Sequence, residues 1–178
     1  MSSESLGVNV WWYIPEVSIP TEAMTRSLMS NGFAEKRIQP ASRKAVVSRA
    51  VRSFHDRRHL EDRRVSEKVR ETADCVTYGI LGHNRPGSEE VGYSQESTVR
   101  LYKESGRVEV TGSLSEEVHL AIEKFSDCYT DDDLRSFLLE VILENKGIAL
   151  RPSGGIYFVP EANLADVYRA KQVLADVN

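Results

Sequence analysis

At 178 residues, with 40% hydrophobic and 28% charged side chains, the chain is long enough to bury roughly 70% of its unfolded surface. Its composition is ordinary for a globular protein, which excludes fibrous and wholly disordered classes. The formal charge of -4 conceals a division: residues 36–70 hold 12 of the 23 Lys+Arg against four acids, net +8, which leaves -12 for the rest. Residues 116–144 concentrate the opposite sign, nine acids against Lys124 and Arg135, net -7. Asymmetry of this kind speaks of partners, not of fold.

No apolar run approaches the roughly 20 residues of a membrane-spanning helix. The start, Met1-Ser2-Ser3-Glu4-Ser5, carries no cationic leader, so a cytoplasmic protein is expected. Cys75 and Cys128 lack the spacing of a zinc ribbon or a disulfide framework and read as small buried apolar residues.

Val8 to Ile14, aromatic and β-branched and stopped by Pro15, predicts a strand inside a sheet. Pro20-Thr21-Glu22 opens a helix to about Asn31, with Gly32 at the left-handed cap position and Ala23, Met24, Leu28 and Met29 inward. After Pro40, Ala41-Ser42 starts a longer helix. Its apolar stripe is Val46, Val47, Ala50, Val51 and Phe54, and Arg43, Arg49 and Arg52 lie off that stripe. His55 to Arg70 has only Leu60, Val65 and Val69 as apolar residues and reads as a polar extension, helix or loop.

Cys75–Leu81 predicts a second strand, and residues 83–88 are dense in turn formers. Thr98–Lys103 and Arg107–Thr111 flank Glu104-Ser105-Gly106 as a hairpin. Ser113-Leu114-Ser115-Glu116 has the form of a capping box before a helix carrying Val118, Leu120, Ala121, Ile122 and Phe125. Thr130-Asp131-Asp132-Asp133 repeats that form before a helix to Asn145, closed by Lys146-Gly147. Ile148–Arg151 and Ile156–Val159 make a second hairpin, and a last helix begins near Glu161. The fold class is therefore α+β: a mostly antiparallel sheet from the N-terminal strand and two hairpins, covered by about five helices. No repeat or linker divides the chain, so one domain is expected over 1–178, and the unstopped final helix allows it to be the N-terminal domain of a longer protein.

Catalytic and metal motifs fare poorly against simpler explanations. His55 and His59 stand one helical turn apart but lack the glutamate of a zinc helix, and the arginines around them oppose a dication. Asp131, Asp132 and Asp133 point about 100° apart on a helix and fit capping better than ligation. No nucleophile elbow occurs, His119 and Cys128 do not make a nucleophile pair, and His83 has no local ligand partners. Neither a catalytic residue, a metal nor a cofactor is expected. The turn at Ser153, Gly154 and Gly155, flanked by Arg151 and Tyr157, reads as a hairpin whose amides and flanking side chains are candidates for ligand contact. Two helices and a hairpin over residues 115–159 also have the outline of a winged helix, with carboxylates where a groove-reading helix needs cations or amides.

The basic stretch carries the functional expectation. Arg43, Lys44, Arg49, Arg52, Arg57, Arg58, Arg63 and Arg64 are the residues expected to neutralise phosphates in a non-catalytic, nucleic-acid-associated module. The alternative is a protein-interaction or oligomerisation module, a homo-oligomer included, in which the basic 36–70 and acidic 116–144 faces pair. Trp11-Trp12-Tyr13-Ile14-Pro15 and Leu150-Arg151-Pro152-Ser153-Gly154-Gly155-Ile156-Tyr157-Phe158-Val159-Pro160 resemble an uncharacterised prokaryotic and phage domain family. The resemblance spans both ends of the chain and implies no transferable activity.

Overall fold

A computed structural model describes residues 6–55, 64–83, 92–152 and 155–177. It divides the chain into two compact units: a terminal unit from Met1–Pro40 with Cys128–Asn178, and a central unit from Ala41–Asp127. Five α-helices and antiparallel strands give the α+β class, with the strands shared among three sheets.

The central unit contains helix α2 (Arg43–Arg52), strands β3 (Arg64–Glu71), β4 (Cys75–His83), β5 (Tyr93–Tyr102) and β6 (Val108–Gly112), and helix α3 (Ser115–Ser126). The strands form an antiparallel meander in the order β3-β4-β5-β6. Alternation puts Val76, Tyr78 and Ile80 of β4 and Val99 and Leu101 of β5 on one face, where Val46, Val47, Ala50 and Val51 of α2 and Val118 and Ile122 of α3 bury them. Each such side chain taken out of water contributes about 1.5–3 kcal/mol before entropy is subtracted. Ser42 caps α2 by accepting the amide of Ala45 at 3.2 Å, a helix start its sequence predicts.

Three expectations change here. The basic stretch is not one helical region: α2 ends at Arg52, and Arg64–Glu71 is a strand. Val65 and Val69 are the two apolar residues of this eight-residue strand, too few to show a strand pattern, and its register with β4 shifts at a bulge between Lys68 and Arg70. Ser113 caps nothing. Helix α3 starts at Ser115 with Leu114 in the cap position and no side-chain cap, and the Leu114 amide donates to the buried Ser97 of β5 at 3.0 Å. Cys75 is half-buried, while Cys128 of the terminal unit is buried as expected.

The terminal unit contains β1 (Gly7–Trp11), β2 (Ser18–Pro20), α1 (Thr21–Ser30), β7 (Cys128–Thr130), α4 (Asp131–Glu144), β8 (Ile148–Ala149), β9 (Ile156–Pro160), a 3-10 turn (Glu161–Asn163) and α5 (Ala165–Val177). The second hairpin, β8 and β9, pairs with β1 in the order β1-β9-β8, so the N-terminal strand lies at an edge rather than inside. The short β2–β7 ladder makes a separate sheet. Met24 and Leu28 of α1, Leu134, Phe137, Val141 and Ile142 of α4, and Val167, Ala170 and Val173 of α5 form the core with Val159. Phe33 meets Phe137 edge-on at 5.3 Å between ring centres. Met29, expected inward, is exposed instead, and so is Tyr168 of α5.

Helices α1 and α5 are also tied by polar bonds. Ser27 donates to Asp176 at 3.1 Å and Asn31 donates to it at 2.8 Å. With Gln172, these bonds hold the Asp176 carboxyl below its ordinary pKa. At the start of α4, the Asp133 carboxylate accepts the Thr130 amide at 2.8 Å, which explains the acidic run as capping.

Helices α1 and α4 end in the same Schellman motif. After α1, Phe33 donates to the Leu28 carbonyl and Gly32 to that of Met29, with Gly32 left-handed at φ 78°. After α4, Gly147 donates to Ile142 and Lys146 to Leu143, and here Lys146 takes the left-handed place at φ 61°. Gly147 is needed for another reason: a Cβ there would lie 2.7 Å from the Ile142 carbonyl oxygen. The winged-helix outline does not form, because α3 belongs to the central unit whereas α4 and the hairpin belong to the terminal one.

Candidate functional site

In the central unit α2 and the β3–β4 ladder enclose an open cleft of about 520 Å³. Lys44 and Arg52, two turns apart on α2, face it together with Lys68 of β3. Ser42, Ser48, Ser66 and Tyr78 supply hydroxyls, and Glu67 is the acid in its lining. The Ser66 hydroxyl is buried without a hydrogen-bond partner among the described residues, an uncommon state for a buried donor. Its backbone amide is satisfied, donating to Nδ1 of His55 at 3.1 Å. That bond makes Nδ1 of His55 an acceptor and so engages the ring within the fold.

Beside the cleft one carboxylate gathers three lysines. Glu71 receives Lys44 at 2.7 Å, Lys68 at 2.9 Å and Lys103 at 3.0 Å. Three ammonium groups on one carboxylate leave the cluster two charges positive. The lysine hydrogen bonds hold the Glu71 carboxyl far below the ordinary carboxylate range. A depressed carboxyl contributes stability that is present above its unfolded value and is lost only as pH falls through the folded one. The cluster therefore keeps its form well below pH 4.5, the ordinary value for the group. Lys44 in turn is raised by its bond to Glu71.

The other expected phosphate contacts do not gather there. Arg43 bonds the Gly106 carbonyl and the Ser126 hydroxyl. Arg49 is half-buried, with a terminal guanidinium nitrogen shielded from solvent. Arg64 is paired with Glu96 at 2.8 Å. Arg57, Arg58 and Arg63 lie outside the described residues, as does His59. Two of the expected residues, Lys44 and Arg52, are thus joined by Lys68 and Lys103, which were not singled out from sequence. The register that sets Lys68 opposite Tyr78 on β4 is what brings Lys68 to α2, and the bulge in β3 hides that register.

The second set of candidates falls in the terminal unit. Gly155 and Tyr157 line an open cleft of about 460 Å³ with Trp12, Tyr13 and Arg135. Trp12 and Tyr157 stack on each other, 5.5 Å apart and 6° from parallel, so each covers one face of the other. Arg135 is engaged by Asp131, by Asp132 at 3.1 Å and by the Ile14 carbonyl at 3.0 Å. Arg151 is exposed and is not part of this lining. Ser153 and Gly154 lie outside the described residues.

Among the described residues no group of histidine, cysteine and carboxylate side chains could hold a metal ion, and no helix is long and apolar enough to cross a membrane. The chain matches, over residues 5–178, the model of a family of unknown function, DUF6744, and belongs to that family. No curated protein and no solved structure matches it.

Proposed function

We propose that this member of the family is a non-catalytic module that holds the phosphate backbone of a nucleic acid at the cleft between α2 and β3, in a prokaryotic or phage cytoplasm. The observation that carries this reading is the convergence of Lys44, Arg52 and Lys68 on one cleft whose edge keeps a surplus of two positive charges around Glu71. Side chains of this kind neutralise phosphates without reading sequence. Ser66 and Tyr78 add donors of the sort that fix a phosphate's position.

The test is fluorescence anisotropy of a labelled oligonucleotide, single-stranded and duplex, with Arg52→Glu and Lys44→Gln variants checked for folding by circular dichroism. Each substitution is expected to weaken binding by about tenfold, on the order of 1.4 kcal/mol. Arg151→Ala in the terminal unit is expected to leave it unchanged. Equal binding by Arg52→Glu and the parent chain would refute the cleft as the site.

One observation favours the interaction reading as well. Arg37 grips Glu144 with two bonds, 3.0 and 2.5 Å long, a basic-segment residue on an acidic-helix residue, and this raises the Arg37 pKa. A second copy could repeat such pairing through the exposed acids of α3. Light scattering would then reveal an oligomer that dissolves with added salt in the absence of nucleic acid.

A further inference from the structure

Sheet edges differ in how they are defended. Among the edge strands of the three- and four-stranded sheets, β3 carries five charged residues and a bulge, β6 carries Glu109, and β8 is two residues long. Charge, bulging and shortness are the usual guards against edge-to-edge pairing. Strand β1, Gly7-Val8-Asn9-Val10-Trp11, has none of them: no charge, no proline, and a regular register with β9 over all five residues. Among the described residues no hydrogen bond other than those of the β9 ladder engages the backbone of Val8 to Trp11. Consecutive residues of the strand, of both side-chain parities, line an apolar groove of about 310 Å³ that also contains Tyr168 and Leu174 of α5.

We infer that this edge pairs with the same edge of a second copy of the chain, antiparallel about a two-fold axis near Asn9, joining two three-stranded sheets into one of six strands. A two-fold axis makes the interface self-complementary, as an antiparallel strand pair is. With Asn9 opposite its counterpart, Trp11 of each copy stands across from Gly7 of the other. Area supports a dimer. Trp11 is 71% and Tyr168 58% exposed, and aromatic side chains bury about 150–250 Å² each. These two residues from two copies thus bring on the order of 500 Å², roughly a third of the 1,200–2,000 Å² of a stable interface. The strand backbone and Leu174 add to it.

This interface is independent of the nucleic-acid cleft and differs in kind from charge pairing, because its bonds are main-chain and apolar. Sedimentation equilibrium of the full chain is therefore expected to show a dimer that persists as salt is raised. Asn9 is exposed, so Asn9→Lys leaves the fold intact while setting two ammonium groups face to face; it is expected to weaken the dimer by roughly two- to fivefold. Asn9→Glu does the same alone, and an equimolar mixture of the two variants regains a heterodimer. A chain that stays monomeric at every concentration overturns the inference. So does a dimer that salt dissolves, one that Asn9→Lys leaves untouched, or a mixture that fails to re-associate.

Discussion

The two units solve the same problem with opposite uses of the chain. The central unit is continuous in sequence, and its sheet is a meander in which each strand pairs with the next. The terminal unit is built from both ends, and its sheet depends on β1 meeting β9 some 150 residues later, at the register Trp11 to Ile156 and Gly7 to Pro160. Their charges differ too. Counted along the sequence, the central unit holds 15 Lys+Arg and 15 Asp+Glu, the terminal unit 8 and 12. A stretch of +8 thus lies within a unit of zero net charge, and what is left for a partner is set by local geometry around Glu71, not by the total.

Mutations in the two cores give the largest effects and test whether the units rest on comparable burial. Phe137→Ala in the terminal unit is expected to cost about 3–5 kcal/mol and Ile80→Ala in the central unit about 2–5 kcal/mol, by denaturant unfolding. A cost below about 1 kcal/mol at either site would remove it from the core described. Next come the paired helix ends of the terminal unit. Gly32→Ala forces a side chain into left-handed backbone with an Arg169 nitrogen 2.9 Å from its Cβ, and about 1–2 kcal/mol is expected to be lost. Lys146→Gly relieves the same conformation and is expected to raise stability by up to about 1 kcal/mol; loss of stability would contradict the motif. In the central unit, Ser42→Ala removes the α2 cap for about 1 kcal/mol. The smallest expected effect is on binding. Glu71→Gln frees three lysines and is expected to tighten nucleic-acid binding by less than about tenfold while slightly loosening the β3 end of the sheet.

Much of this was legible in the residues. Strand β4, both hairpins, the boundaries of α1 and α4 and the start of α2 follow from apolar period, caps and glycines. What was not legible has identifiable causes. The strand at Arg64–Glu71 is an edge with two apolar residues in eight, and its register shifts at a bulge. Ser113-Leu114-Ser115-Glu116 has the right letters for a capping box, yet α3 starts without a side-chain cap and the Leu114 amide goes to Ser97, sixteen residues upstream of Ser113. The pairing of β1 with β9, and hence the exposed edge, depends on contacts no local pattern records. For the candidate site, Arg52 was visible as an off-stripe cation on an amphipathic helix and Lys44 as a member of the basic stretch. Lys68 and Lys103 required the sheet register, and the burial of Arg49 required the fold. Membership of the family agrees with the resemblance seen at both chain ends.

The central claim, that the α2–β3 cleft takes phosphates, is tested most directly by the salt dependence of oligonucleotide affinity between about 50 and about 200 mM salt. Contacts from Lys44, Arg52 and Lys68 predict a slope of log K against log salt of about -2 to -3, reduced by about one in Arg52→Glu. A slope near zero, or one that the substitution leaves unchanged, would contradict it.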